Sequence, residues 1–256
     1  MTGTTGRRYH TLILAAGFDE RLYPLTRDVP KPLLPIAGRP LLEWTLDRLL
    51  ASSRLGDITV LVNERDGDTF VRWRETGASG RVRVLPNGIN DPHDARGAVS
   101  DALYAIRQIP VRDDLFLVAG DNLFDFPVDP FLDFHEDRRA CSVILKDLGR
   151  RDLATEYGQV ELGDRGRIVR FVEKPVRPRG TLVAAGMYLF PRDSFPLVEA
   201  FAEEAGVGQK PGRLIEWLYK KTPVFGCIPD GDWYDIGDID SYNRADKAFA
   251  ARVRRG

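Results

Sequence analysis

Residues 12–40 read LILAAGFDERLYPLTRDVPKPLLPIAGRP, and their interpretation decides the fold. The stretch opens as a leucine-rich strand and breaks at Ala15-Ala16-Gly17. It then shows no apolar periodicity until a helix resumes at Pro40, a residue suited to a first helical turn. Long irregular connections inside a compact domain are uncommon and tend to be functional. This one carries Arg21, Arg27 and Lys31, with prolines at 24, 30, 32 and 35 restricting its path. A strand that runs into a glycine, followed by cations on a stiffened loop, has the chemistry of a phosphate clamp. Gly17 lets the backbone approach a ligand, and the cations answer its negative charge.

Beyond that stretch, continuous apolar runs at 9–14, 58–63, 82–85, 115–119 and 142–145 alternate with helical patterns at 40–53, 68–75, 97–108 and 130–137. Buried strands alternating with helices indicate a mainly parallel sheet covered on both faces. Ligands of such sheets bind beyond the strands' C-terminal ends, where Gly17 and Asp121 both stand. After residue 148 the rhythm changes. Runs at 158–162 and 168–173 flank Gly163-Asp164-Arg165-Gly166, the signature of a β-hairpin. A strand at 181–190, helices at 193–204 and 213–221, a strand at 224–228 and a closing helix from about Asp240 follow.

With 256 residues the chain can bury a sizeable core, and its 43% hydrophobic content is that of an ordinary globular protein. A net charge of −1 argues against a nucleic-acid binder, so any phosphate is held by a few placed cations. Cys141 and Cys227 lie in apolar runs and read as buried free thiols. No apolar run reaches membrane-spanning length, and the polar residues 1–8 read as a frayed arm, not a signal peptide. The expected compartment is the cytoplasm. Trp44, Trp73 and Trp217 sit on helical patterns and read as core or interface.

Asp121 ends a buried strand in Val118-Ala119-Gly120-Asp121-Asn122, where a carboxylate suits a hard cation such as Mg²⁺ or caps a turn. Lys174, in Phe171-Val172-Glu173-Lys174-Pro175, closes the hairpin and would suit an exposed edge equally well. Arg96-Gly97-Ala98 opens a helix whose N-terminus can receive an anion or a base edge.

Together these motifs resemble the sugar-1-phosphate nucleotidylyltransferases, in order, from Leu12 to about Tyr242. Arg21-Leu22, Pro24-Leu25-Thr26 and Pro30-Lys31-Pro32 stand as in that family's nucleotide-binding segment, with Asp19 and Glu20 where it usually carries Gly and Thr. The resemblance implies an α/β, Rossmann-like three-layer sandwich, mainly parallel, with an inserted hairpin-containing sugar-binding half. One domain at 9–254 would then comprise a nucleotide half (9–148), an acceptor half (149–238) and a closing helix (239–254). It implies nucleotide contacts from Leu14, Ala15, Ala16, Gly17, Arg96, Gly97 and Asp121, and catalytic roles for Arg21, Lys31 and Lys174. Acceptor contacts would come from Tyr157, Gly158, Glu173, Lys174, Gly186 and Trp233, with Mg²⁺ on Asp121 and Asp235. Asp238, in the usual Thr position, is expected to cap the last helix. Ala184 replaces a family Asn beside the acceptor. The implied activity is Mg²⁺-dependent nucleotidylyl transfer from a nucleoside triphosphate to a sugar 1-phosphate or related phosphate. A non-catalytic sugar-nucleotide-binding regulator is the alternative that Asp19 and Glu20 raise, and a glycosyltransferase of similar architecture is a third. Self-association into a homo-oligomer stays open. The absence of Gly-x-Gly-x-x-Gly after the first strand argues against a dinucleotide-dependent dehydrogenase.

Overall fold

The computed structural model describes residues 9–77, 79–109, 111 and 113–254; the arm expected at 1–8 lies outside the described residues. The chain begins with β1 (Tyr9–Ala15). The proline-rich strap after it forms two short 3-10 turns, Glu20–Leu22 and Lys31–Leu33, then a minimal hairpin of β2 (Pro35–Ile36) and β3 (Arg39–Pro40). Next come α1 (Leu41–Leu50), β4 (Leu55–Val62), α2 (Gly67–Glu75), β5 (Val82–Pro86), α3 (Ala98–Gln108) and β6 (Asp114–Ala119). The short β7 (Asn122–Phe124), α4 (Asp129–Arg138) and β8 (Cys141–Asp147) complete the N-terminal half. The second half holds β9 (Gly158–Leu162), β10 (Ile168–Glu173), β11 (Leu182–Phe190), α5 (Phe195–Ala205), α6 (Pro211–Leu218), β12 (Val224–Cys227) and β13 (Trp233–Asp235). The long α7 (Ile239–Val253) closes the chain.

β5, β4, β1 and β6 pair in parallel, as their unbroken apolar sequences require. β11 joins β6 antiparallel and ties in both β8 and the β9–β10 hairpin; β12 lies parallel to β8. Alternate residues of β1 feed opposite layers. Tyr9, Ile13 and Ala15 pack with apolar residues of α1, α2 and α4, while Leu12 packs with those of α3, α5 and α6. A third cluster seats α7 through Ala245 and Phe249 on Leu22, Ile36 and Leu41, and so fastens the strap to the C-terminal helix.

Two local expectations change. Pro40 precedes α1 instead of opening it: it has an extended backbone and pairs with Pro35, and the Leu41 amide donates to the Leu34 carbonyl at 2.9 Å. Cys141 is buried, but Cys227 is only half-buried, because β12 has β8 along one side and a single bridge, Arg167 to Phe225, on the other. Trp73 is core, packed edge-on to Phe70, whereas Trp44 and Trp217 are half-buried against Phe249 and Phe201. Asp238 caps α7 as expected, its carboxylate accepting from the Ser241 amide at 2.7 Å in a reciprocal capping box.

Candidate active site

A two-stranded ladder outside the main sheet creates the acidic centre. β13 pairs antiparallel with β7, in a register that sets Asp235 opposite Asn122, and the Ile236 amide donates to the Asp121 carbonyl at 3.1 Å. Residues 114 apart in sequence thus bring two carboxylates together at the end of β6. Burial, and then the charge of Asp121, push the Asp235 carboxyl up to about 7; Lys31 and the Tyr157 hydroxyl, which donates to Asp235, pull the other way. Asn122 braces the ladder. Its amide donates to the Ala185 carbonyl at 2.7 Å, and its oxygen accepts from the Trp233 indole at 3.2 Å.

Lys31 stands beside this pair. Its ammonium lies 3.1 Å from Asp121 Oδ2 and 2.9 Å from Asp19 Oδ1, and the residue is only 6% exposed. Burial alone would lower its pKa, but the carboxylates of Asp121 and Asp19 more than reverse this and hold the ammonium charged. The acidic departure at position 19 therefore meets a cation of the chain itself. Glu20 is exposed.

Two cavities meet at Tyr157, Trp233, Lys174 and Asp235. The first, of about 200 Å³, runs over the C-terminal parts of β1 and β6 and the middle of β11, with Leu14, Leu117, Ala184 and Tyr188 along it. Glu173 and Lys174 enter it from the hairpin, where Glu173 pairs with Gly158 and the Lys174 amide donates to the Tyr157 carbonyl at 3.0 Å. Burial raises the Glu173 carboxyl, against the pull of Lys210, Lys174 and Arg213. That carboxylate lies so close over Gly212 that a Cβ there would fall 1.9 Å from Oε2, so residue 212 must be glycine while Glu173 keeps this pose. The second cavity, of about 330 Å³, has Arg21, Lys174 and Arg244 on its walls with Glu156, Asp235 and Asp238. Neither Arg21 nor Arg244 is held in an ion pair among the described residues, whereas Lys174 reaches Glu156 at 3.4 Å.

The structure thus gathers Leu14, Asp121, Tyr157, Gly158, Glu173, Lys174, Gly186, Trp233 and Asp235 around the first cavity and Arg21 beside the second. Five nucleotide-side candidates, Gly17 among them, line neither cavity. Ala15 turns its side chain into the core, so it can offer a ligand only backbone. Ala16 is half-buried and lines neither cavity. Arg96 sits just ahead of α3 with its guanidinium 5.7 Å from the Tyr104 ring centre, away from both cavities. Gly97 does start α3, but its turn is covered by backbone: the Gly208 amide donates to the Arg96 carbonyl at 2.7 Å and the Val99 amide to the Gln209 carbonyl at 3.1 Å. Residues that sequence reasoning missed include Asn122, Tyr188, Lys210, Gly212 and Arg244. A lysine followed by Pro-Gly before α6 was a usable signal; nothing near Arg244 marks it.

The donor set fits Mg²⁺. Among the described residues no group of three His, Cys, Asp or Glu side chains could hold a metal, and two converging carboxylates are present. Mg²⁺ usually takes one or two carboxylates, with substrate phosphates and water completing its shell. Burial and the neighbouring Asp121 both raise the Asp235 carboxyl.

Cations and paired carboxylates thus gather in one cleft beyond the strand ends of a three-layer α/β sheet. Residues 10–252 match the nucleotidyl transferase family, and the chain belongs to it. It is 31% identical to a glucose-1-phosphate adenylyltransferase of Thermomicrobium roseum, over 93% of this chain and 59% of that protein. It is 27% identical to the bifunctional protein GlmU of Methanocaldococcus jannaschii, over 88% and 50%, and 26% identical to a UTP–glucose-1-phosphate uridylyltransferase of Synechocystis, over 94% and 63%. The chain spans about half to two thirds of the length of these curated relatives. A solved chain described as a glucose-1-phosphate thymidylyltransferase from Bacillus anthracis shares the fold, with a TM-score of 0.82 and 22% identity over 94% of this chain and 95% of that one.

Proposed function

We propose that this protein transfers a nucleotidyl group from a nucleoside triphosphate to a sugar 1-phosphate or related phosphate, releasing pyrophosphate, with Mg²⁺ held by Asp121 and Asp235. The observation that carries this reading is the meeting of the two cavities at Asp235, one walled by Glu173 and Lys174, the other by Arg21 and Arg244. The acceptor's phosphate oxygen attacks the α-phosphorus, and the bond to the β-phosphate breaks with its electrons leaving on pyrophosphate. A phosphate monoester is largely a dianion at neutral pH, so no general base is required. The task is to hold mutually repelling anions in line, by positioning and electrostatics. Lys174 and Lys210 receive the acceptor's charge, Glu173 faces its hydroxyls, and Leu14, Leu117 and Ala184 supply an apolar wall. Arg21 binds the β- and γ-phosphates, and Lys31 answers charge near the α-phosphate. Mg²⁺, when bound, supplies further neutralisation of the phosphate oxygens.

The test is pyrophosphate release with Mg²⁺ across a matrix of nucleoside triphosphates and sugar 1-phosphates. Release with one pair names both substrates. One observation, the closed Asp19–Lys31 pair, favours a second reading, a sugar-nucleotide-binding regulator. Nucleotide binding by calorimetry with silence across the matrix would establish that instead.

Arg244 belongs to this reading as a cation for the leaving pyrophosphate. Arg244→Ala is expected to raise KM for pyrophosphate in the reverse direction about tenfold, as loss of one charge-assisted contact implies. KM for the sugar nucleotide should change less, and the melting temperature little, because the side chain is exposed. Equal changes in both KM values would remove Arg244 from the pyrophosphate side.

A further inference from the structure

We propose that Asp19 is a built-in counter-ion that occupies the anion position of the strap in the free protein and is displaced by the incoming polyphosphate, so that it sets donor affinity and discriminates donors by phosphate charge. The proposal rests on the reading above, in which Lys31 meets nucleotide phosphates.

Three observations converge on it. Asp19 adopts a left-handed backbone, φ 49° and ψ 38°, which is unusual for a residue with a Cβ but better tolerated by Asp and Asn than by most. This conformation is held locally: the Asp19 carbonyl accepts from the Leu22 amide at 3.1 Å and from the Thr26 hydroxyl at 2.8 Å. Second, the turn aims the carboxylate back over the strand end. A Cβ built on Gly17 would have as its three nearest neighbours the Asp19 carboxylate atoms, the closest at 3.2 Å. The space that a glycine leaves open for a ligand's anion is thus filled by an anion of the chain. Third, that carboxylate binds Lys31 at 2.9 Å, and Lys31 sits on a 3-10 turn between Pro30 and Pro32, nearly buried, where it has little freedom to retreat.

An ammonium has three donors, and here Asp19 and Asp121 engage it together. Asp19, Lys31 and Asp121 sum to one negative charge, so a phosphate approaching Lys31 is opposed until Asp19 leaves. The Asp19 side chain is 17% exposed and Lys31's is 8%, so the aspartate is the partner with a route to solvent. A triphosphate carries about four negative charges near neutral pH and a sugar nucleotide about two, so with one Mg²⁺ on each the triphosphate still brings more charge to replace the carboxylate.

Asp19→Asn removes the charge while keeping shape, and Asp19→Gly removes the side chain from a backbone that glycine adopts freely, so both should fold. Calorimetric titration of the 256-residue chain and both variants would use Mg²⁺ with non-hydrolysable α,β-methylene triphosphates of each base, then the matching sugar nucleotide. The expected result is at least tenfold tighter triphosphate binding in both variants, a smaller gain for the sugar nucleotide, and a gain that shrinks as salt is raised. A purely structural Asp19 would not separate the two ligands. Unchanged or weaker triphosphate binding in both variants would overturn the counter-ion role while wild-type binding still upheld the proposed function. No nucleotide binding by any of the three proteins would overturn both.

Discussion

Asp235→Asn is expected to cost turnover about a thousandfold while making the ligand-free protein more stable. The activity loss is of the size seen when a group that stabilises transition-state charge is removed. The stability gain follows from the site's electrostatics. Asp235 is buried beside Asp121, and its folded-state value of about 7 stands above the ordinary 3.8. Between those values the folded chain keeps a proton that the unfolded chain has released, so stability falls as pH rises through the window and stays lower above it. The full shift would correspond to about 4 kcal/mol; with relaxation of the neighbours we expect about 2 kcal/mol, or roughly 5 °C in melting temperature. The variant's melting temperature should therefore exceed wild type's at pH 8 and match it near pH 4. Added Mg²⁺ should raise the wild type's melting temperature and leave the variant's nearly unmoved. Scanning calorimetry at the two pH values, with and without Mg²⁺, checks this without any assay of activity. A variant less stable than wild type at pH 8 would mean that Asp235 is a structural hydrogen-bond acceptor for Tyr157 before it is anything else.

The second large effect is expected at Gly97, at the start of α3. Its φ is +85°, and a Cβ there would lie 2.5 Å from the Gly208 carbonyl carbon and 2.6 Å from the Gln209 nitrogen. These are backbone atoms in a clasp that fastens the start of α3 to the segment leading into Lys210, Pro211 and Gly212. Gly97→Ala should destabilise by about 3 kcal/mol or more, strain and displaced backbone acting together. Gly206→Ala is the comparator: it shares a positive φ, +72°, but has open space around it, and should cost about 2 kcal/mol from strain alone. Calorimetry of the pair separates the clasp from conformational strain. Because the displaced segment lines the acceptor cavity, Gly97→Ala should raise KM for the sugar phosphate more than KM for the triphosphate. Equal melting temperatures for the two variants would show that the close approach is not needed for folding.

Much of the architecture was legible because it depends on local pattern. Short unbroken apolar runs such as 115–119, alternating with helical patterns, read as strands buried on both faces, and the hairpin of β9 and β10 announces itself by alternation around a glycine-bounded turn. The strap's cations, the strand-end Asp121 and the Glu173-Lys174-Pro175 corner were likewise readable, since each lies at a break in such a pattern. Other features arise from pairings between distant segments and leave no local trace. Arg96, a candidate anion ligand by sequence, sits just ahead of α3 with its guanidinium over the Tyr104 ring. The start of the same helix looked open until Gly208 and Gln209 covered it.

Asp19 shows the division most sharply. The sequence alone determined that an acid stands on the strap with Arg21 and Lys31, where near a polyphosphate it would carry an electrostatic penalty unless it turned away or met a cation. Tertiary structure decided where that charge goes. A left-handed turn at residue 19 and a lysine twelve positions later, set on a proline-braced turn, put carboxylate and ammonium in contact. The ladder between β7 and β13 likewise decided that Asp121 and Asp235 share one site. Helix and strand periods are written within a few residues, whereas the energy of a charge depends on which distant group the fold places within a few ångströms of it.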